Sequence, residues 1–382
     1  MHVPGADNRT EKSSGMKAAA ARIMSDSIRN APRIAGTCGV LPSHRYGQRE
    51  LTQIVRALLP ELSVDPPVLE RFFRHVGVKQ RYLALPAEEY RHLTGLEAKN
   101  RAWLSCAMPL AERAVRGALA QAGLEARDVA MVMSTTVTGI AVPSLEARLM
   151  NRMPFSPDVK RVPLFGLGCM AGAAGLARAS EYLRAFPDQA ALFFAVELCS
   201  LTLQRGDASV ANLISGGLFG DGAAAVVLVG AEHPLARRHG VRVVDSLSRF
   251  FPNTERAMGW DVVDGGFKIV LGREVPAIAR EAVPELVDSL LARRGLVRGD
   301  VAHWIAHPGG PAVMEGMRVG LGLSAEQLEP TRRSLEQIGN LSSASVLFLL
   351  DEFARGRPRR GEHALLLAMG PAFSAEGVLL QC

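Results

Sequence analysis

Aromatic side chains make up only 5% of the 382 residues, too few to build the stacking platforms on which single-stranded nucleic acids are held. Cysteine is equally sparse. Cys38, Cys106, Cys169, Cys199 and Cys382 are odd in number and far apart, with no C-x-x-C pair and no His/Cys cluster. That spacing argues against a metal site and a disulfide framework and points to a reducing compartment, the cytoplasm. No apolar run reaches the roughly 20 residues that span a bilayer, and Met1 to Asn30 lacks the apolar stretch of a signal peptide. The charge excess is mild, net +6, with Arg supplying most of the positive charge in scattered positions. This speaks against a dedicated nucleic-acid face and suits an anionic phosphate on a small molecule.

What the chain does have is apolar mass. At 48% hydrophobic residues it can bury a large core in about two to three domain-sized units. Residues 1–32 read as a polar, Ala-rich leader ending at Pro32. Beyond it, short apolar runs (Val129 to Ser134, Ala190 to Val196, Ala223 to Val229, Ala364 to Met369) predict buried strands, and Ala107 to Ala120, Ala171 to Ala185 and Leu341 to Arg355 predict helices. Strands interleaved with helices imply an α/β layered fold. An internal echo is visible. Gly168-Cys169 and Gly339-Asn340 each open a small-residue apolar helix, and FGDG (Phe219 to Gly222) leads into an apolar run much as Gly361 to His363 does. A duplicated fold follows, with its halves meeting near residues 235–245, giving units 33–240 and 241–382.

Three segments carry chemistry. In VPLFGLGCMAGAAGLARA (Val162 to Ala179) an apolar strand turns through two glycines into a helix headed by Cys169. Unpaired N–H groups and the helix dipole there lower a thiol pKa, and Gly172 and Ala173 leave room for a substrate chain. The alternative is a buried structural cysteine. In VAHWIAHPGGPAVMEG (Val301 to Gly316) a strand ends at His307, and Pro311 starts a helix. Ligand sites gather at such strand ends. His303, on the same strand, reads as a satisfied core histidine. In IGNLSSASVLFLLDEFARG (Ile338 to Gly356) Asn340 opens an amphipathic helix, where capping alone would account for it. One Cys, one His and one Asn, each framed by glycine, make a set that nucleophilic acyl chemistry uses.

The ordered motifs GLGCMAG, LFGDGAA, WIAHPGGP and GNLSSASVLF resemble those of type III polyketide synthases, the chalcone-synthase-like branch of the thiolase superfamily. The resemblance covers residues 35–382 or so. It implies an α/β thiolase fold whose duplicated βαβαβαββ halves form a five-layered αβαβα core. It implies an acyltransferase that needs no metal or redox cofactor, only malonyl-CoA and acyl-CoA as substrates, and that works as a homodimer. Carried over by position, Cys169 is the acyl-accepting nucleophile, and His307 and Asn340 are the decarboxylation and condensation pair. Phe219 is the gatekeeper between CoA tunnel and cavity. Thr136, Cys199, Thr202 and Ser342 line the cavity, and Val142 reaches into the partner's cavity. Arg71 and Arg74 are candidates for the CoA phosphates, with solvated surface arginines as the alternative.

Two departures from the plant pattern bear on substrate. The second gatekeeper aromatic falls near Ile269, and the closing active-site loop reads Gly370-Pro371-Ala372-Phe373-Ser374. Loss of an aromatic wall implies room for an aliphatic chain. The wording of Ser134 to Ser144 and of Met258 to Phe267 is similar to bacterial members that make alkylpyrones or alkylresorcinols from fatty acyl-CoA, with a fatty-acid pathway enzyme as a candidate donor of the starter. Three other readings stay open on the residues alone: a ketoacyl-ACP synthase III, a papain-like protease with Cys, His and Asn in the same order, and a non-catalytic acyl-CoA binding relative.

Overall fold

The computed structural model describes residues 30–59 and 65–382; the expected leader lies outside them up to residue 29. Among the described residues thirteen strands are formed: β1 (Arg33–Val40), β2 (His44–Gly47), β3 (Gln80–Leu83), β4 (Met131–Thr135), β5 (Lys160–Leu164), β6 (Ala190–Leu198), β7 (Asp221–Val229), β8 (Arg242–Phe250), β9 (Met258–Val263), β10 (Gly266–Leu271), β11 (Val301–Ala306), β12 (His363–Gly370) and β13 (Ser374–Gln381). Nine of them run in one sheet, in the order β11-β12-β13-β8-β1-β7-β6-β4-β5.

That order contains the duplication. The run β4-β6-β7-β1 in the first half is matched by β11-β12-β13-β8 in the second. In both runs the first two strands are parallel and the later pairs antiparallel. Within this sheet the halves join through the single register pair Arg33↔Arg242, so the ladder between them there is minimal. One sequence expectation needs correcting here. FGDG leads into β7, whose counterpart by topology is β13, so pairing it with the segment that opens β12 was a coincidence of composition.

Strand alternation sorts the core into layers. In β12, Leu365, Leu367 and Met369 face one cluster and Ala364, Leu366 and Ala368 another, the period of two that a sheet covered on both faces requires. Between the two sheet halves lie the helices Ala171–Ala185 and Ser345–Arg355, which contribute Ala173, Leu176, Leu183, Leu347 and Leu350 to the middle cluster. Helix Gly95–Ala122 covers the first half from outside through Trp103, Ala111, Val115 and Ala118. Helices Val275–Ala292 and Pro311–Leu321 cover the second. Fully burying one Leu in such a layer is worth roughly 1.5–3 kcal/mol. The small residues of Ala171–Ala185 let the layers approach: a Cβ on Gly172 would lie 2.1 Å from the Ser343 carbonyl oxygen.

Candidate active site

The two central helices start at the same end of the molecule, and their approaches carry the candidate residues. A single 3-10 turn, Gly168–Met170, holds Cys169 immediately before helix Ala171–Ala185. Asn340 precedes a second 3-10 turn, Ser342–Ala344, that feeds helix Ser345–Arg355. Both are preceded by glycines in the left-handed region, Gly168 at φ 52° and Gly339 at φ 74°, conformations that side chains resist. His307 follows the end of β11, as expected, with Pro311 opening the next helix.

Cys169, His307 and Asn340 line one cavity of about 70 Å³, together with Phe219, Ile269 and Pro371. Its remaining wall is mainly apolar, with Leu218, Val275, Val313 and Met369 beside the ring of Trp260. The Cys169 Sγ lies 3.5 Å from Ser342 Oγ, and Ser342 itself sits at φ 49°. Asn340 is fixed from both sides of its peptide: its N–H donates to the Leu218 carbonyl and its carbonyl accepts from the Gly220 N–H, each at 2.9 Å. Its Oδ1 accepts from the Ser342 N–H at 2.8 Å. This bond closes a local turn and is not a helix cap, since Leu341 and Ala344 occupy the cap positions, and it leaves the carboxamide NH₂ as the donor available to the cavity. The backbone of His307 is pinned by its N–H donating to Leu367 O at 2.8 Å. Its Nδ1 is buried with no partner among the described residues.

Electrostatics depart from the expectation of a thiol acidified by the helix start. Cys169 keeps some exposed area, but protein surrounds the sulfur. Burial, aided by the charge of Glu197 and opposed by the Ser342 hydrogen bond, pushes its pKa up to about 12. Burial pushes His307 down to about 3. Charge on either group is thus disfavoured, and the free site holds a neutral thiol and a neutral imidazole.

Other expected residues fall as follows. Thr136 belongs to a buried network under the site. Glu197 Oε2 accepts from Val137 N–H at 3.1 Å and from Thr138 Oγ1 at 3.0 Å, Thr136 Oγ1 lies 3.4 Å away, and Ser343 Oγ donates to Oε1. Burial raises the Glu197 carboxyl to about 7. Cys199 is buried, lining with Phe219 a second apolar cavity of about 30 Å³, and Thr202 Oγ1 donates to the Cys199 carbonyl at 2.7 Å. Ser374 Oγ donates to the Pro371 carbonyl at 3.0 Å, closing the turn after Gly370 that sets the Pro371 ring against Gly168. Val142 is 89% exposed. Arg71 and Arg74 lie exposed on helix Pro66–His75 and do not line the cavity that holds Cys169.

Three expectations change. Gly172 and Ala173 do not make room for substrate: Gly172 abuts Ser343 and Ala173 is in the core. His303 is satisfied at the surface, not in the core, half-buried with Nε2 2.8 Å from Glu362 Oε2. The missing aromatic wall is not missing. Trp260 on β9 stands opposite Ile269 on β10, lines the cavity and places its ring 6.2 Å from that of Phe219. The cross-strand partner of Ile269 supplies the aromatic, and a β-hairpin pattern around Asp264-Gly265-Gly266 was the signal that could have shown it.

Among the described residues no group of three or more His, Cys, Asp or Glu side chains could hold a metal ion, and no described helix is long and apolar enough to cross a membrane. Family models described as chalcone and stilbene synthases match the chain, the N-terminal domain over residues 67–233 and the C-terminal domain over 242–382. A 1,3,6,8-tetrahydroxynaphthalene synthase of Streptomyces peucetius subsp. caesius is 46% identical over 91% of this chain and 92% of its own. A putative chalcone synthase of Bacillus subtilis is 35% identical over 89% and 95%. Among solved structures, the 1,3,6,8-tetrahydroxynaphthalene synthase of Streptomyces coelicolor superposes with a TM-score of 0.85 at 30% identity, covering 91% of this chain and 99% of that one.

Proposed function

The chain belongs to the chalcone and stilbene synthase family, the type III polyketide synthases, and from that premise we propose that it loads a medium- or long-chain acyl group from CoA onto Cys169 and extends it with malonyl-CoA to an alkylpyrone or alkylresorcinol. As a member it is an acyltransferase of the thiolase fold that performs decarboxylative condensation with malonyl-CoA through an active-site cysteine. The observation that carries the residue roles is the convergence of Cys169, His307 and Asn340 on one largely apolar cavity.

In the proposed cycle the imidazole of His307 takes the thiol proton. The Cys169 thiolate attacks the acyl-CoA carbonyl and CoA leaves as its thiol, giving an acyl-enzyme thioester. Malonyl-CoA then loses CO₂, and the enolate oxygen is stabilised by the His307 and Asn340 N–H donors. Carbon attacks the thioester, forming the β-ketoacyl-CoA and returning the Cys169 sulfur. Loss of one preorganised donor of this kind costs on the order of 100-fold in rate.

The aliphatic side of the cavity, Leu218, Ile269, Val275 and Val313, supports the alkyl starter, with a second apolar cavity on the far side of Phe219 beside Cys199. A second reading has its own support. A space of about 70 Å³ favours a short starter, and the 46% identical relative is named for a naphthalene without an alkyl tail. On that reading malonyl-CoA supplies every carbon. We place the enzyme in the cytoplasm as a homodimer, with Arg71 and Arg74 as phosphate contacts and fatty-acid enzymes as donors.

Purified protein incubated with malonyl-CoA and a series of acyl-CoA starters, with products read by mass spectrometry, tests this. Alkylated pyrones or resorcinols support the first reading, product from malonyl-CoA alone the second, and a strict need for carrier protein overturns both. Cys169→Ala should form no acyl adduct and no product with its fold intact. Asn340→Ala should still accept the acyl group while decarboxylation falls on the order of 100-fold.

A further inference from the structure

Phe219 and Asn340 sit on neighbouring stretches of chain that form an isolated parallel bridge, and one side chain from the first half holds both stretches. Arg81, on β3, is 3% exposed. Its Nη1 donates to the Phe219 carbonyl and its Nη2 to the Gly216 carbonyl at 2.6 Å. Its methylenes lie under Gly339, where a Cβ would come within 3.1 Å of both Cγ and Cδ. The charge of Asp221 acts on the guanidinium through space, and its carboxylate accepts from Ala84 N–H at 2.6 Å and Ser200 N–H at 2.8 Å. Arg81 does not line the cavity that holds Cys169, though it borders the smaller cavity behind Phe219 and Cys199, so loading is compared with a short starter.

This is an expensive way to satisfy two carbonyls. A buried guanidinium loses hydration, and the Arg81 Nε is buried without a partner. Water or a turn would serve a carbonyl that only needed a donor. What the planar fork adds is rigidity: two carbonyls of one segment held at fixed spacing, with the arm wedged against the glycine before Asn340.

We propose that Arg81 is a positioning residue for chain extension, setting the Phe219 ring and the Asn340 carboxamide relative to the Cys169 sulfur. It rests on the roles given above to those residues. Cys169 approaches the cavity from a different segment, with its own turn against Pro371. Starter loading is therefore separable from decarboxylation and condensation, and only the latter depend on the clamp. A misplacement of about 1 Å at a reacting group costs on the order of 100-fold.

The test compares Arg81→Lys, which keeps charge and one carbonyl bond, with Arg81→Met and with Arg184→Lys. Arg184 is a carbonyl clamp remote from the cavity, its Nη2 donating to Val243 O at 2.9 Å and Val244 O at 2.7 Å. For each protein the acyl adduct on intact enzyme, kcat and KM for condensation, the number of extensions and Tm are measured. Folded Arg81→Lys should load the starter within about threefold of the wild-type rate and lose condensation kcat by about tenfold or more, with altered extension number, at a Tm loss no greater than that of Arg184→Lys. Arg184→Lys should keep kcat and products. Where Arg81→Met does not fold, Arg81→Lys alone decides. Normal condensation in Arg81→Lys, or equal losses in loading and condensation, overturns the proposal alone. A wild-type enzyme that takes no acyl group on Cys169 overturns the assigned roles and the proposal together.

Discussion

At the residue scale the site is governed by burial more than by local dipoles. Cys169 and His307 are pushed toward their neutral forms, and the acid beneath them behaves alike. The Glu197 carboxyl rises from 4.5 to about 7, chiefly through burial. The unfolded chain releases this proton near 4.5 while the folded one holds it to about 7, so folding stability falls as pH climbs through that interval and levels off above it. Glu197→Gln should flatten the profile of Tm against pH between about 5 and 8, and calorimetry of both proteins across that range checks it; parallel profiles would count against the raised carboxyl. The motif residues were readable in sequence because glycine and proline announce their turns: Gly168, Gly339 and Pro311 each stand where the backbone needs them. The titration state of Cys169 was not readable. A helix start is visible in a sequence, but the surrounding wall that removes water comes from segments some fifty to two hundred residues away.

At the scale of elements the hairpin β9-β10 sets the cavity's shape. Trp260 and Ile269 face each other across it, and Trp260 leans on Phe219. Ile269→Phe would add a ring to a space already holding two, and overpacking of this kind is relieved by side chains swinging into open volume. The longest starter accepted should shorten, read as a shift in the product series by mass spectrometry, with Tm within a few degrees of wild type. The apolar strand runs were legible because both faces of β6, β7 and β12 are buried. The first three turns of Gly95–Ala122 were missed: Pro109 interrupts the helix and Lys99 and Asn100 break its apolar stripe. Lys99 is nonetheless buried, donating to the Leu203 and Gly265 carbonyls at 2.8 Å each.

For the whole molecule, the proposed homodimer bears on several exposed apolar side chains. Val142 at 89%, Phe165 at 59% and Ile140 at 42% stand in solvent, and Phe165 lies four residues before Cys169. In the proposed homodimer a second copy would cover them. Val142→Asp should weaken that association, with the wild type sedimenting near twice 41.0 kDa and the variant shifted toward one copy; a wild-type monomer would remove the homodimer from the proposal. Duplication was legible as an echo about Cys169 and Asn340, yet its true strand correspondence was not, since β7 and β13 share neither length of loop nor wording with each other. The seam between the halves has a further meaning. Cys169 comes from one side of it and His307 and Asn340 from the other, while strand pairing across it is confined, among the described residues, to Arg33↔Arg242 and the isolated Phe219–Asn340 bridge. A slight parting along that line would silence the chemistry while each half kept its secondary structure, so mild denaturant should extinguish turnover before it dims the circular dichroism.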